Sequence, residues 1–151
     1  MQVSLSILKL GLMFFWASWL TLTFVTNFFD GLKVLKVLPE EWKFASGNYA
    51  AIARATSSYS VPDWLNGLLF VGSTLWEGLA GFLFWISFLS YLRSGFTNLS
   101  HTNTAFTFSL ALWAAMILAD EIFKAYRLVR THMLIFVCQG ITLLIIYALP
   151  G

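Results

Sequence analysis

Four stretches of the chain run almost without interruption through apolar residues, and polar residues collect between them. The runs cover about 5–29, 65–92, 104–123 and 133–149. Each is near the roughly 20 apolar residues that a helix needs to cross about 30 Å of hydrocarbon. The pattern predicts an all-α, polytopic membrane protein, with four transmembrane helices forming one domain over residues 1–151. An even number of spans places both termini on one side. The first run is too long for a signal-peptide core and no A-x-A-like site follows it, so a retained helix is expected.

The connection over residues 30–64 is the only long one. "LKVLKVLPEEWKF" mixes apolar residues with Lys33, Lys36 and Lys43, and Pro39 suits the first turn of a new helix. "NYAAIARATSS" predicts another short helix. Trp42, Tyr49, Tyr59 and Trp64 suit a belt at headgroup level. The segment is therefore expected to lie along the membrane surface as short interfacial helices. "RSGFTNLSH" and "KAYRLVRTH" are tight connections, the first with a three-residue glycosylation pattern at Asn98-Leu99-Ser100.

Within the second run, residues three and four apart share a helix face. Ser73, Glu77 and Gly81 form a stripe, with Asn66, Thr74, Gly78, Ala80 and Ser87 on or beside it. Leu68, Val71, Leu75, Leu79, Phe82, Leu83 and Ile86 occupy the other side. The small, polar face should meet other helices and the bulky face lipid. Ala111, Ala115 and Ala119 form a comparable stripe in the third run, where a neighbour is expected to dock.

Glu77 stands about ten residues from either end of its run, so roughly 15 Å deep at the helical rise. A charge there costs at least about 2.5 kcal/mol, so such groups pair, neutralise or line a pathway. No Lys or Arg lies at that depth in the other runs. Glu77 is expected to be buried, neutral and hydrogen-bonded, with Ser73, Thr23, Asn27, Gln139 and Thr142 as candidate partners.

Composition supports the bilayer as solvent: 59% of the 151 residues are hydrophobic and 11% charged, against about 25% charged in soluble domains. The net charge of +2 gives no reason to expect nucleic acid. The one cysteine, Cys138, cannot form an internal disulfide and reads as a small core residue. His101 and His132 fall in connections on opposite sides, cannot clamp one haem, and read as solvated. Zinc and iron–sulfur sites lack the necessary clusters, and no phosphate loop or nucleophile–base pair is present. Asp120 and Glu121, neighbours on one helix, point about 100° apart. No enzyme chemistry and no cofactor are expected, only bound lipid.

Several of these residues form a pattern that resembles the DUF2165 family of uncharacterised small integral membrane proteins. They are "NFFD" from Asn27 to Asp30, the Arg54-Ala55 pair, Glu77, and "EIFKAY" from Glu121 to Tyr126. The family's tryptophans in the last motif become Ile122 and Tyr126. The resemblance implies four helices and a polar face at which Asn27, Asp30, Arg54, Asp120, Glu121 and Tyr126 gather above Glu77. It also implies a bacterial inner membrane, with that face non-cytoplasmic. The Lys and Arg count implies the opposite: Lys33, Lys36, Lys43, Arg54, Lys124, Arg127 and Arg130 lie on that side, against Lys9 and Arg93. Arg54 is expected to fold back toward Asp30 or Glu121, because its fork matches a carboxylate.

Small size, aromatic surface and packing stripes predict an accessory subunit of a larger membrane complex. Its partners would be other integral membrane subunits and lipids, with homo-oligomerisation as a further assembly. A proton, ion or solute carrier using Glu77 is the first alternative. A binder of a quinone, pigment or lipid is the second.

Overall fold

The computed structural model describes residues 2–94 and 99–149, so Asn98 of the glycosylation pattern lies outside them. The described elements are all helical: α1 (Gln2–Val34), α2 (Asn48–Thr56), a 3-10 turn (Ser57–Tyr59), α3 (Asp63–Ser94), α4 (Ser100–Ile122) and α5 (Tyr126–Ala148). Four of them, α1, α3, α4 and α5, are long and apolar enough to cross a membrane. All outrun the apolar runs from which they were inferred. Hydropathy reports where apolar side chains sit, whereas backbone hydrogen bonding continues through polar turns. Arg127, Arg130, Thr131 and His132 are accordingly helical residues of α5 rather than a loop.

Pro39 does not open a helix. α1 continues to Val34 and closes in a Schellman turn, with Lys36 left-handed (φ 58°) and Val37 N–H bonded to Leu32 O at 2.9 Å. Pro39 then heads a turn closed by Trp42 N–H on its carbonyl, 3.1 Å. The expected interfacial helices thus reduce to α2 and its 3-10 extension. Trp42, Tyr59 and Trp64 are exposed, whereas Tyr49 packs edge-on against Phe70, ring centroids 5.6 Å apart.

The long helices pack in chain order, α1 on α3, α3 on α4 and α4 on α5, with little contact between α1 and α5. The stripe on α3 faces inward as its period requires: Asn66, Thr74, Glu77, Ala80, Gly81 and Ser87 are buried. Leu68, Val71, Leu75, Leu79 and Phe82 are exposed, with Leu83 and Ile86 half-buried. Two glycines bring α1 close. A Cβ on Gly78 would stand 2.7 Å from Phe24, and one on Gly81 would stand 3.3 Å from Leu20 Cβ and 3.4 Å from the Thr21 backbone.

Side-chain hydrogen bonds clasp the neighbouring helices. Trp85 Nε1 donates to Thr21 Oγ1 at 3.0 Å, and Ser87 and Thr102 share a bond of 2.8 Å. Gln139 Nε2 donates to Ser109 Oγ at 2.8 Å, and Trp16 Nε1 to Thr142 Oγ1 at 3.1 Å. Where lipid tails are as apolar as leucine, such contacts and close packing must supply the specificity of association. Lys9, counted above with Arg93 on the opposite side, is buried and donates to Leu149 O at 2.7 Å. It serves a carbonyl that the end of α5 leaves without a helical partner.

Two further expectations are corrected. Cys138 is exposed, on the outward face of α5. Ala111 and Ala115 also face outward, and only Ala119 turns partly in. The packed face of α4 is instead set by Thr102, Ala105, Ser109, Leu112, Trp113 and Asp120.

Candidate functional site: a cavity beneath α2

The bundle opens into a cavity of about 300 Å³ beneath α2, and every helix lends it a wall. α1 contributes Trp19, Thr23 and Asn27, and α3 contributes Phe70, Ser73 and Glu77. Opposite stand Trp113, Met116 and Asp120 of α4 and His132 and Ile135 of α5. Ile52, Ala55 and Thr56 of α2 form the roof.

On the α1–α3 wall, three polar side chains bond in series. Asn48 Nδ2 donates to Asn27 Oδ1 at 2.8 Å, and Asn27 Nδ2 donates to Glu77 Oε2 at 2.5 Å. Glu77 is 3% exposed. Of the five partners expected for it, Asn27 is the one that bonds. Ser73 donates to Phe70 O, Thr23 to Trp19 O and Thr142 to Cys138 O, each capturing a carbonyl of its own helix, while Gln139 bonds Ser109.

The α4–α5 wall carries a pair that the sequence did not reveal. Asp120 Oδ2 and His132 Nδ1 lie 2.6 Å apart and share a hydrogen bond. His132 is a helical residue lining the cavity, not a solvated loop residue. With the carboxylate as acceptor, Nδ1–H donates, and Nε2 has no partner among the described residues. The ring lies against Trp113, centroids 5.6 Å apart, and Trp113 lies against Trp19 at 5.7 Å. The indole N–H of Trp113, a residue 2% exposed, finds no acceptor among the described residues. A buried donor without a partner costs about 1–3 kcal/mol.

The sequence held one clue to this wall. Helices joined by three residues, Phe123 to Ala125, must be antiparallel neighbours. A side chain just before the turn then meets one a turn or two beyond it. That clue is lost once "KAYRLVRTH" is read as loop.

The other candidates separate. Asn27, Ser73, Glu77 and Asp120 line the cavity. Glu121 is exposed and lines neither concavity. Arg54 and Tyr126 are exposed and line an outer groove. Arg54 does not reach Asp30, because Asp30 is used by α2, accepting from Tyr49 N–H at 2.8 Å and Ser46 Oγ at 3.4 Å. The N-cap of α2, the left-handed Gly47, has no side chain to offer, and Ser46 Oγ accepts only from the first amide, Asn48 N–H, at 3.1 Å. A carboxylate from α1 fills the capping role and complements the helix dipole. Asp30→Ala should therefore loosen the roof by about 1 kcal/mol. Amide hydrogen exchange from Tyr49 to Thr56 should quicken while that of α3 stays unchanged; unaltered exchange in α2 would remove the capping role.

Among known proteins, no family model, no curated protein and no solved structure matches the chain.

Proposed function

We propose that this chain is an integral membrane protein whose cavity binds a small lipid-soluble molecule. The four long apolar helices support the membrane assignment. The observation that carries the binding role is the cavity itself, with mostly apolar walls, polar pairs on opposite sides and the buried Trp113 indole, whose N–H has no acceptor among the described residues. Ligand sites combine apolar walls with a few convergent polar groups in this way. An apolar cavity of about 150 Å³ accommodates benzene, so about 300 Å³ here has room for a ring-sized portion of a larger amphiphile. Glu77 and His132 would address its polar atoms.

The resemblance to the DUF2165 family and a bacterial inner membrane belong to the same proposal. An accessory-subunit role is compatible with it, since the outward Ala111 and Ala115 allow a neighbouring helix to come close. The cavity reading is tested by purifying the protein in mild detergent and identifying bound small molecules by mass spectrometry. One species should accompany the wild type and be depleted in Met116→Trp, which fills the cavity. Equal amounts in both proteins would rule out the cavity as the site.

A further inference from the structure

The turn between α4 and α5 builds a second concavity. α4 closes in a Schellman motif, with Lys124 N–H on Glu121 O at 3.2 Å and Ala125 N–H on Asp120 O at 2.7 Å. Lys124 occupies the left-handed position, φ 55°. α5 starts directly afterwards, which puts Arg127 in its first turn, while α2 brings Arg54 from the other side. These three cations line one open groove of about 850 Å³ together with Ser58, Tyr59 and Tyr126.

No carboxylate lines this groove, and among the described residues none of the three cations forms an ion pair. The nearest acids in sequence are engaged or turned away: Asp120 holds His132, and Glu121 faces outward. Three like charges in one concavity raise a local positive potential that concentrates anions. Arg forks match phosphate oxygens bidentately, as they do carboxylates, and a phosphate offers oxygens enough for three cations at once. The left-handed lysine is not itself the argument, since Lys36 adopts the same conformation outside the groove. What counts is the convergence of cations from three separate segments.

The groove adjoins the cavity. Ala51, Ala55, Phe123, Ala125 and Leu128 line both, so a layer of mostly small apolar side chains is all that the two share between the cations and the space beside Glu77. Resting on the cavity reading above, we infer that the ligand is an amphiphile with a phosphate-class anionic head. The head sits among Arg54, Lys124 and Arg127, and the adjoining apolar part passes Ala55 and Leu128 into the cavity. A phospholipid or a soluble phosphate ester would supply this chemistry.

The test uses the full chain in neutral detergent, with binding followed by native mass spectrometry. The probes are dioleoyl phosphatidic acid, dioleoylglycerol and inorganic phosphate. Phosphatidic acid should bind at least about tenfold tighter than the uncharged lipid, the scale of one charge-assisted hydrogen bond. Arg54→Gln with Arg127→Gln should erase that preference. Lys124→Gly should reduce it while raising the melting temperature, because glycine accepts the left-handed backbone without strain. Lys36→Gly should gain stability likewise and keep the preference. Competition by inorganic phosphate would support the inference and point to a soluble ester; a preference without competition would support it and point to a lipid. No preference in the wild type, or equal loss in Lys36→Gly and Lys124→Gly, would overturn it as unspecific surface charge. An undiminished preference in Met116→Trp would overturn the shared ligand while leaving the groove an anion site. That result is distinct from failure of the cavity reading, which concerns the co-purified molecule.

Discussion

Gly81→Leu is expected to lower the stability of the purified protein by about 3 kcal/mol, the upper part of the range for overpacking. Even the Cβ would stand at 3.3 Å from Leu20 Cβ and 3.4 Å from the Thr21 backbone nitrogen. Backbone cannot swing aside as a side-chain tip can, so the rest of a leucine must push α1 off α3. Gly78 faces Phe24 more closely, at 2.7 Å, but meets only side-chain atoms of the ring, which can shift where backbone cannot. Gly78→Ala should therefore be milder than Gly81→Leu. Reversible unfolding in mixed detergent micelles orders the two, and the reverse order would show that α1 and α3 do not approach as described. Because α1 and α3 carry Asn27 and Glu77, the Gly81 variant should also open the cavity and lose the co-purified ligand.

Glu77→Leu should cost about 1–3 kcal/mol, since it leaves the Asn27 amide donor buried without its acceptor. Glu77→Gln keeps an acceptor oxygen for Asn27 and should be nearly neutral for stability. The contrast extends beyond the pair, because Asn27 also holds Asn48 of the roof. The leucine variant should thus loosen α2 as well, visible as faster amide exchange over Asn48–Thr56. Equal stability of the two variants would mean that the Asn27–Glu77 bond contributes nothing. If Glu77→Gln assembled normally but abolished a measured flux in proteoliposomes, the ionisable group itself would be required, and a carrier would replace a binder as the best reading.

How much of this could be read from the chain differs from element to element. On α3, the inward position of Glu77 and the outward position of Leu75 and Leu79 follow from helical period alone. The two faces of that helix differ so clearly in size and polarity that no partner need be known. On α4 the same reasoning misassigned Ala111 and Ala115. There both faces are apolar, and the choice falls to whichever residues best fit α3 and α5. Asn27 was one of five candidate partners for Glu77, and the choice among them was decided by geometry. Hydroxyls on a helix readily bond the carbonyl a turn back, as Ser73, Thr23 and Thr142 do. A carboxamide such as Asn27 reached across to the carboxyl instead.

Arg54 shows the limit of pairing by charge. The sequence offers it Asp30 and Glu121, and Coulomb attraction alone would join them. The start of α2 takes Asp30 first, through a backbone donor that no charge count includes. His132 shows the limit of hydropathy, which marks where side chains are apolar and not where helices begin.

Period and composition thus determined four long apolar helices, one polar face on α3 and a buried carboxyl at its centre, because each depends only on residues near one another in the chain. Only the packed bundle decided that Asp120 meets His132, that the Trp113 indole has no acceptor among the described residues, and that Arg54, Lys124 and Arg127 share a groove. Those groups lie on separate elements, and their meeting depends on how closely the glycines of α3 let α1 approach and where the α4–α5 turn sets the next helix.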